Sequence, residues 1–324
     1  MPRPRFLDPT ERGLSQLGQE ILPVLYRHRL LTAGQLTQLL RPAATSTRYI
    51  RRQLEVLHGR GLVDASVRRT SRAGELLWYT TSLGCEVVES GGELAPRAYR
   101  MTEDAAASQL QEHTLAVNDM GLAFVQHARR LGDECGPLDW DPEVAHRVRD
   151  GDSRLGDEAF LVPDSVLRYI HTTPTGDGGQ QRMLLTFFCE IDRATMSIAR
   201  LAAKLHAYAR YFRYIPQPAL GRGRPKAGGF RREAWRARYP SFPRILLVLD
   251  GASQSQLAKR TDDLRALVAA DARLQPAEDL QAGVTTLEQL RAHGPFASIV
   301  TPVLGDPEPT DVLLRRSAAA ASVA

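Results

Sequence analysis

Apolar residues recur at helical spacing early in the chain, where Leu14, Leu17, Ile21 and Leu25 predict a helix with Pro23 as a kink or boundary within it. Thr32 followed by Gln35 is a capping box that opens a second helix through Leu40. A third begins near 45–47, after Arg41-Pro42, and stops at the glycines of 59–61. On it Ile50, Leu54 and Leu57 line one face, so Arg48, Arg51, Arg52 and Glu55 fall largely on the other. GLVDASVRR and ELLWYTTS read as two strands around the basic tip 69–74, and TTSLGCEVVES as a further helix. A long amphipathic helix is predicted over 103–131, followed by the strand-like pieces PEVAHRVR, FLVPDSVLRYI and RMLLTFFCEIDR, with PTGDGGQQ as a hairpin loop. The helix SIARLAAKLHAYARYF, the apolar strand RILLVLD, a helix over 253–270 and a short strand near 297–300 complete the pattern. Helix, three strands, helix, strand is an α/β core whose last strand arrives by a crossover, within a chain that is α+β overall.

At 324 residues the chain is long enough for two domains. The pattern places them at 1–100 and 101–305, with 306–324 as a disordered tail. A 43% hydrophobic and 24% charged composition is that of a globular protein and excludes a fibrous or wholly disordered one. No apolar run approaches the roughly 18 residues of a membrane span, and the start MPRPRF lacks the apolar stretch of a secretory signal, so a cytoplasmic protein without membrane contact is expected. Cys85, Cys135 and Cys189 are odd in number and far apart, which excludes a disulfide framework and a cysteine-paired zinc site.

The net charge of +5 conceals strong segregation: +6 over 1–100, −10 over 101–192, +11 over 193–238 and −2 thereafter. A basic, acidic, basic order suits a protein that holds a nucleic acid around an acidic centre. Solvated helix faces give the same blocks.

Three helices followed by a β-hairpin is the winged helix-turn-helix order, and the first hundred residues resemble many bacterial DNA-binding domains. In such domains the third helix enters the major groove and the wing touches the flanking backbone. The resemblance assigns contacts with double-stranded DNA to Arg48, Arg51 and Arg52 on the helix and to Arg68, Arg69 and Arg72 on the wing. Residues 41–72 carry 8 basic against 2 acidic side chains, which favours DNA over a protein partner. The segment 221–240, GRGRPKAGGFRREAWRARYP, adds seven basic residues, among them Arg231 and Arg232, and reads as a loop able to clamp a phosphate backbone while Trp235 or Tyr239 stacks on a base.

Pro163-Asp164 is expected inside one strand and Glu190-Ile-Asp192-Arg193 at the end of the next, so the carboxylates can converge at one sheet edge. This resembles the core of the PD-(D/E)XK nuclease-like superfamily. There the Asp and the Glu bind Mg²⁺ and a lysine two residues after the Glu helps activate water. The resemblance implies Asp164 and Glu190 as metal ligands. The lysine position holds Asp192 instead, and Lys204 on the following helix is the substitute on offer, completing a catalytic set of Asp164, Glu190 and Lys204. Equally, Asp164 and Asp192 suit turn and cap roles while Glu190 pairs with Arg193 or Lys204.

Over residues 15–250 the chain resembles the replication-relaxation family of plasmids and mobile elements. That likeness rests on the N-terminal helices and hairpin, on Glu112-His113-Thr-Leu-Ala-Val-Asn118-Asp119, on Val162-Pro163-Asp164, and on Phe188-Cys-Glu190-Ile-Asp192-Arg193 followed by Lys204 and Tyr208. It implies DNA binding in plasmid replication, mobilisation or relaxation, alongside replication or mobilisation proteins. Two other functions fit the same pattern: an active Mg²⁺-dependent endonuclease or nicking enzyme, and a winged-helix transcriptional regulator. No two histidines flank a single hydrophobic residue, as a common rolling-circle relaxase requires, and no GxxxxGK[ST] phosphate loop occurs, so ATP-driven unwinding is not expected.

Overall fold

The computed structural model describes residues 13–97, 99–151, 159–217, 232–274 and 280–315. It is mixed α/β and divides into two compact units, one of residues 1–126 with 135–141 and the other of residues 127–134 with 142–324. Arg231 and most of the segment 221–240 lie outside the described residues, as does the chain beyond Arg315.

The first unit opens with helix α1, Gln16–His28, whose N-terminal amide at Gly18 is capped by Ser15 at 3.1 Å. Pro23 lies inside this helix, which continues to His28. After the short strand β1 (Leu31–Thr32), α2 (Ala33–Leu40) begins with the capping box read from the sequence, Thr32 and Gln35 bonding reciprocally at 3.0 and 3.1 Å. Helix α3, Arg48–Gly59, buries Ile50, Leu54 and Leu57. Strands β2 (Val63–Val67) and β3 (Leu76–Thr80) pair antiparallel from Val63↔Thr80 to Val67↔Leu76, and β1 adds to the far side of β3.

Helix α4, Ser82–Ser90, starts on a Thr81 cap, and Gly84 brings its first turn against the carbonyl of Leu62. The single helix expected over 103–131 is two: α5 (Glu103–Ala106) and α6 (Gln111–Leu131). The break follows from Ser108, whose hydroxyl accepts the Leu110 amide at 3.2 Å in place of a helical bond. Gln111 then fastens the junction, its amide nitrogen donating to the carbonyls of Ala106 (2.6 Å) and Val67 (3.1 Å).

Strand β4 spans Trp140–Pro142. In the second unit β5 (His146–Arg147) and β6 (Phe160–Leu161) make a small antiparallel ribbon. The strand expected to contain Pro163-Asp164 is interrupted there, β7 beginning only at Ser165 and running to Pro174; proline has no amide proton to give a ladder. The turn at 175–179 leads into β8, Gln180–Asp192, in antiparallel register Ser165↔Cys189. Helix α7 (Ile198–Arg213), capped by Ser197, crosses over to β9 (Arg244–Leu249), which lies parallel to β8. Between them is the 3₁₀ turn η1, Ala234–Ala237.

Helix α8 (Gln254–Ala269) opens on the capping box Ser253–Gln256. The strand β10 (Ala282–Thr286) and helix α9 (Leu287–His293) that follow were not expected, and the last short strand, β11, is Thr301–Pro302 rather than 297–300. Five strands of this unit thus run in the order β11-β10-β9-β8-β7. Val166, Phe188, Ile245 and Leu247 pack against Leu201, Leu205 and Tyr208 of α7 and Leu257 and Leu264 of α8. All three cysteines are buried and none is in a disulfide.

A Cβ at Gly84 would stand 1.9 Å from the Leu62 carbonyl oxygen, a backbone atom that cannot swing aside. Gly84→Ala should therefore destabilise the protein by about 1–3 kcal/mol, read as a lowered melting temperature with the native fold retained in circular dichroism.

Candidate functional site

The register of β7 and β8 brings Asp164 beside the end of β8, where its Oδ2 accepts the Ile191 amide at 2.7 Å. Side chains alternate along a strand, so Phe188, Glu190 and Asp192 project to one face, toward α7 and α8. Lys204 and Tyr208 are one helical turn apart on α7 and meet Glu190 together. Lys204 Nζ donates to Oε2 at 2.5 Å and Tyr208 OH to Oε1 at 2.6 Å. The same ammonium is 3.8 Å from Asp164 Oδ1. Asp164, Glu190 and Lys204, chosen from the sequence, thus converge, with Tyr208 added by the helix.

This centre is secluded: the Glu190 side chain is 2% exposed and that of Lys204 26%. Burial pushes the Glu190 carboxyl up to about 7, with the charge of Asp164 adding to the rise and Lys204 and Tyr208 opposing it. Burial works to lower the pKa of Lys204, but the charges of Glu190 and Asp164 outweigh it and hold the ammonium above its ordinary value. Tyr208 is pushed well above 10 by burial and by Glu190, so its hydroxyl stays a donor.

Asp192, which stands where the nuclease pattern has lysine, is engaged elsewhere. Its Oδ1 accepts the Met196 amide at 3.3 Å, and its Oδ2 is gripped by both Nε (3.1 Å) and Nη2 of Arg260 on α8. Arg193 faces Asp250 at 3.8 Å.

A hard divalent ion takes about six oxygen ligands. Here both oxygens of Glu190 and Oδ2 of Asp164 already accept hydrogen bonds, and an ammonium stands between the two carboxylates. The residues as arranged do not fit Mg²⁺. Among the described residues no group of three or more His, Cys, Asp or Glu could hold a metal.

The expected DNA-contacting arginines have different fates. Arg48, Arg51 and Arg52 are exposed on α3 together with Tyr49, opposite its buried face. Arg69 and Arg72 are exposed on the tip between β2 and β3. Arg68 is instead held in place by Glu112, through two bonds of 2.8 Å, and by Glu75 at 2.9 Å. Arg232 is exposed, whereas Trp235 is buried with its Nε1 donating to the Phe212 carbonyl at 3.1 Å, and the Tyr239 hydroxyl bonds His146 at 2.7 Å. Neither ring is presented for base stacking.

The α6 residues named in the sequence likeness are architectural: Glu112 fixes Arg68, Asn118 donates to the Leu30 carbonyl at 2.8 Å, and Asp119 accepts from Gln35 at 2.9 Å. In the sequence Tyr208 stood only among the residues of the family likeness, and its bond to Glu190 was missed, although Lys204 and Tyr208 at i and i+4 was the available signal.

The replication-relaxation family model matches residues 22–223, more than half of the chain and including α3, α6 and the Glu190 cluster. The chain belongs to the replication-relaxation family. Membership suggests a role in plasmid or mobile-element replication or relaxation. No curated protein and no solved structure matches this replication-relaxation protein. No helix among its described residues is long and apolar enough to cross a membrane.

Lys204→Met removes the countercharge from a buried carboxylate and should destabilise the protein where that carboxylate is ionised. Because folding raises the Glu190 pKa from 4.5 to about 7, its ionisation costs stability as pH rises through that interval and costs nothing below it. Without Lys204 that pKa lies higher still, so both proteins lose stability alike up to about pH 7, and the gap between wild type and Lys204→Met in urea denaturation should widen only above it, by up to about 1.4 kcal/mol per pH unit.

Proposed function

We propose that the protein binds duplex DNA through α3 and the β2–β3 tip, as a winged helix, in plasmid or mobile-element replication, relaxation or mobilisation, and that it does not cut the DNA it binds. The observation that carries the binding half is the exposed face of α3, where Arg48, Arg51 and Arg52 stand together opposite a fully packed one. Three guanidinium groups on one helix face suit phosphates and guanine edges. Family membership supports a DNA-centred role.

The second half rests on the Lys204 ammonium between Glu190 and Asp164. In a nuclease of this pattern a metal occupies the space between the carboxylates and lowers the pKa of the attacking water. Here a side chain of the protein supplies the positive charge, and the cluster acts to lock α7 onto the sheet. The core is then a nuclease-like scaffold kept for its shape.

Replacing Arg48, Arg51 and Arg52 by Ala should weaken duplex binding and flatten its salt dependence by about 2–3 units of log K against log[salt]. Unchanged affinity in gel-shift titrations at two salt concentrations removes the binding claim. Supercoiled plasmid incubated with wild type and Mg²⁺ should be retarded and remain unnicked; Mg²⁺-dependent nicking that disappears in Asp164→Ala overturns the second half.

A further inference from the structure

A second basic surface lies wholly within the second unit, around the C-terminal end of α7. Tyr214 OH donates to Asp150 Oδ1 at 2.6 Å and the Gln217 amide to Asp150 Oδ2 at 3.1 Å, which brings the stretch after β5 against the end of α7. The Ala234 amide donates to the Tyr214 carbonyl at 2.8 Å and Arg238 Nη1 to the Ala145 carbonyl at 3.0 Å, which adds η1 to the same place. The three stretches, 146–150, 210–217 and 232–239, hold seven arginines, no lysine, and two acids. Both acids are engaged, Asp150 as above and Glu233 by Arg236 at 2.6 Å.

Arg147, Arg149, Arg210, Arg213, Arg236 and Arg238 are all exposed. Several are also held in position. The Arg236 guanidinium lies 4.3 Å over Trp235 and that of Arg147 5.0 Å over Phe160. A guanidinium has five donors, so those engaged by a carbonyl keep others for a ligand. Arg210 and Arg213 complement the carbonyl end of α7, but Arg147, Arg149, Arg236 and Arg238 lie on other elements and have no such duty.

We propose that this arginine surface binds the phosphate backbone of DNA as a second contact, separate from α3. Planar forks fixed over aromatic rings match phosphate oxygens in pairs. A lipid surface is the less suited polyanion, since Ile215 is the one large apolar side chain of these stretches that stands substantially exposed. Only the choice of ligand rests on the DNA-binding function proposed above; the surface itself does not involve α3.

The test uses the full chain and a fluorescent 20-base-pair duplex, with binding read by anisotropy from about 50 to 200 mM salt. Arg149, Arg210 and Arg213 are replaced together by Ala, in wild type and in the Arg48→Ala, Arg51→Ala, Arg52→Ala background. The salt slope should fall by about 2–3 units in both, at about 0.9 per lost phosphate contact, and the matching Arg→Lys variant should keep most of it. An unchanged slope in both backgrounds overturns the proposal. A flattened slope here, combined with no effect of the α3 substitutions alone, supports this surface and removes α3. Cosedimentation with phosphatidylserine vesicles that the Ala variant loses, with its DNA slope intact, assigns the surface to lipid and also overturns the proposal. Unaltered circular dichroism melting of the Ala variant guards each reading against loss of fold.

Discussion

The buried carboxylate of Glu190 is the constraint on which the second unit depends. It sits on the central strand β8, fully surrounded, and a lone ionised carboxylate there would cost several kcal/mol. Lys204 and Tyr208 answer it from one turn of α7, so that helix is fixed in rotation and in height over the sheet. Once α7 is set, the crossover that delivers β9 parallel to β8 is set with it. Asp192 repeats the device one strand repeat further on, tying β8 to α8 through Arg260. Two ion pairs on one strand face therefore register both covering helices.

Under the proposed function, that use of charge also separates this core from a metal-dependent nuclease. A nuclease leaves its carboxylates facing a cation that must come and go. In this chain the cation is covalently part of the protein, and Tyr208 occupies the remaining oxygen of Glu190. Under the proposed function, affinity for DNA then falls to surfaces where the charge is not neutralised internally. Arg68 shows the contrast within a few residues, since Glu112 and Glu75 claim it while Arg69 and Arg72 remain exposed.

Much of this was legible in the sequence where the signal was local. The Thr32–Gln35 and Ser253 caps, the helix buried through Ile50, Leu54 and Leu57, and the run RILLVLD all state their structure within a few residues. Asp164, Glu190 and Lys204 were identified as a set because short motifs placed Asp164 inside one strand, Glu190 at the end of the next and Lys204 on the helix that follows. The break at Ser108 was not legible, because apolar periodicity continues across it while one hydroxyl diverts the backbone. Strand β10 was missed because AGVTT is short and weakly apolar, although Thr286 and Gln289 spell a cap for α9 directly after it. The fates of Arg68 and Trp235 depended on partners 44 and 23 residues away, which no local pattern encodes.

The central claim is that Lys204 fills the place a metal would take. Calorimetric titration of the wild-type protein with Mg²⁺ tests it most directly, with the melting temperature followed in parallel. The account predicts no saturable heat and no change in melting temperature. One-to-one binding that raises the melting temperature, and that Asp164→Ala abolishes, would contradict it.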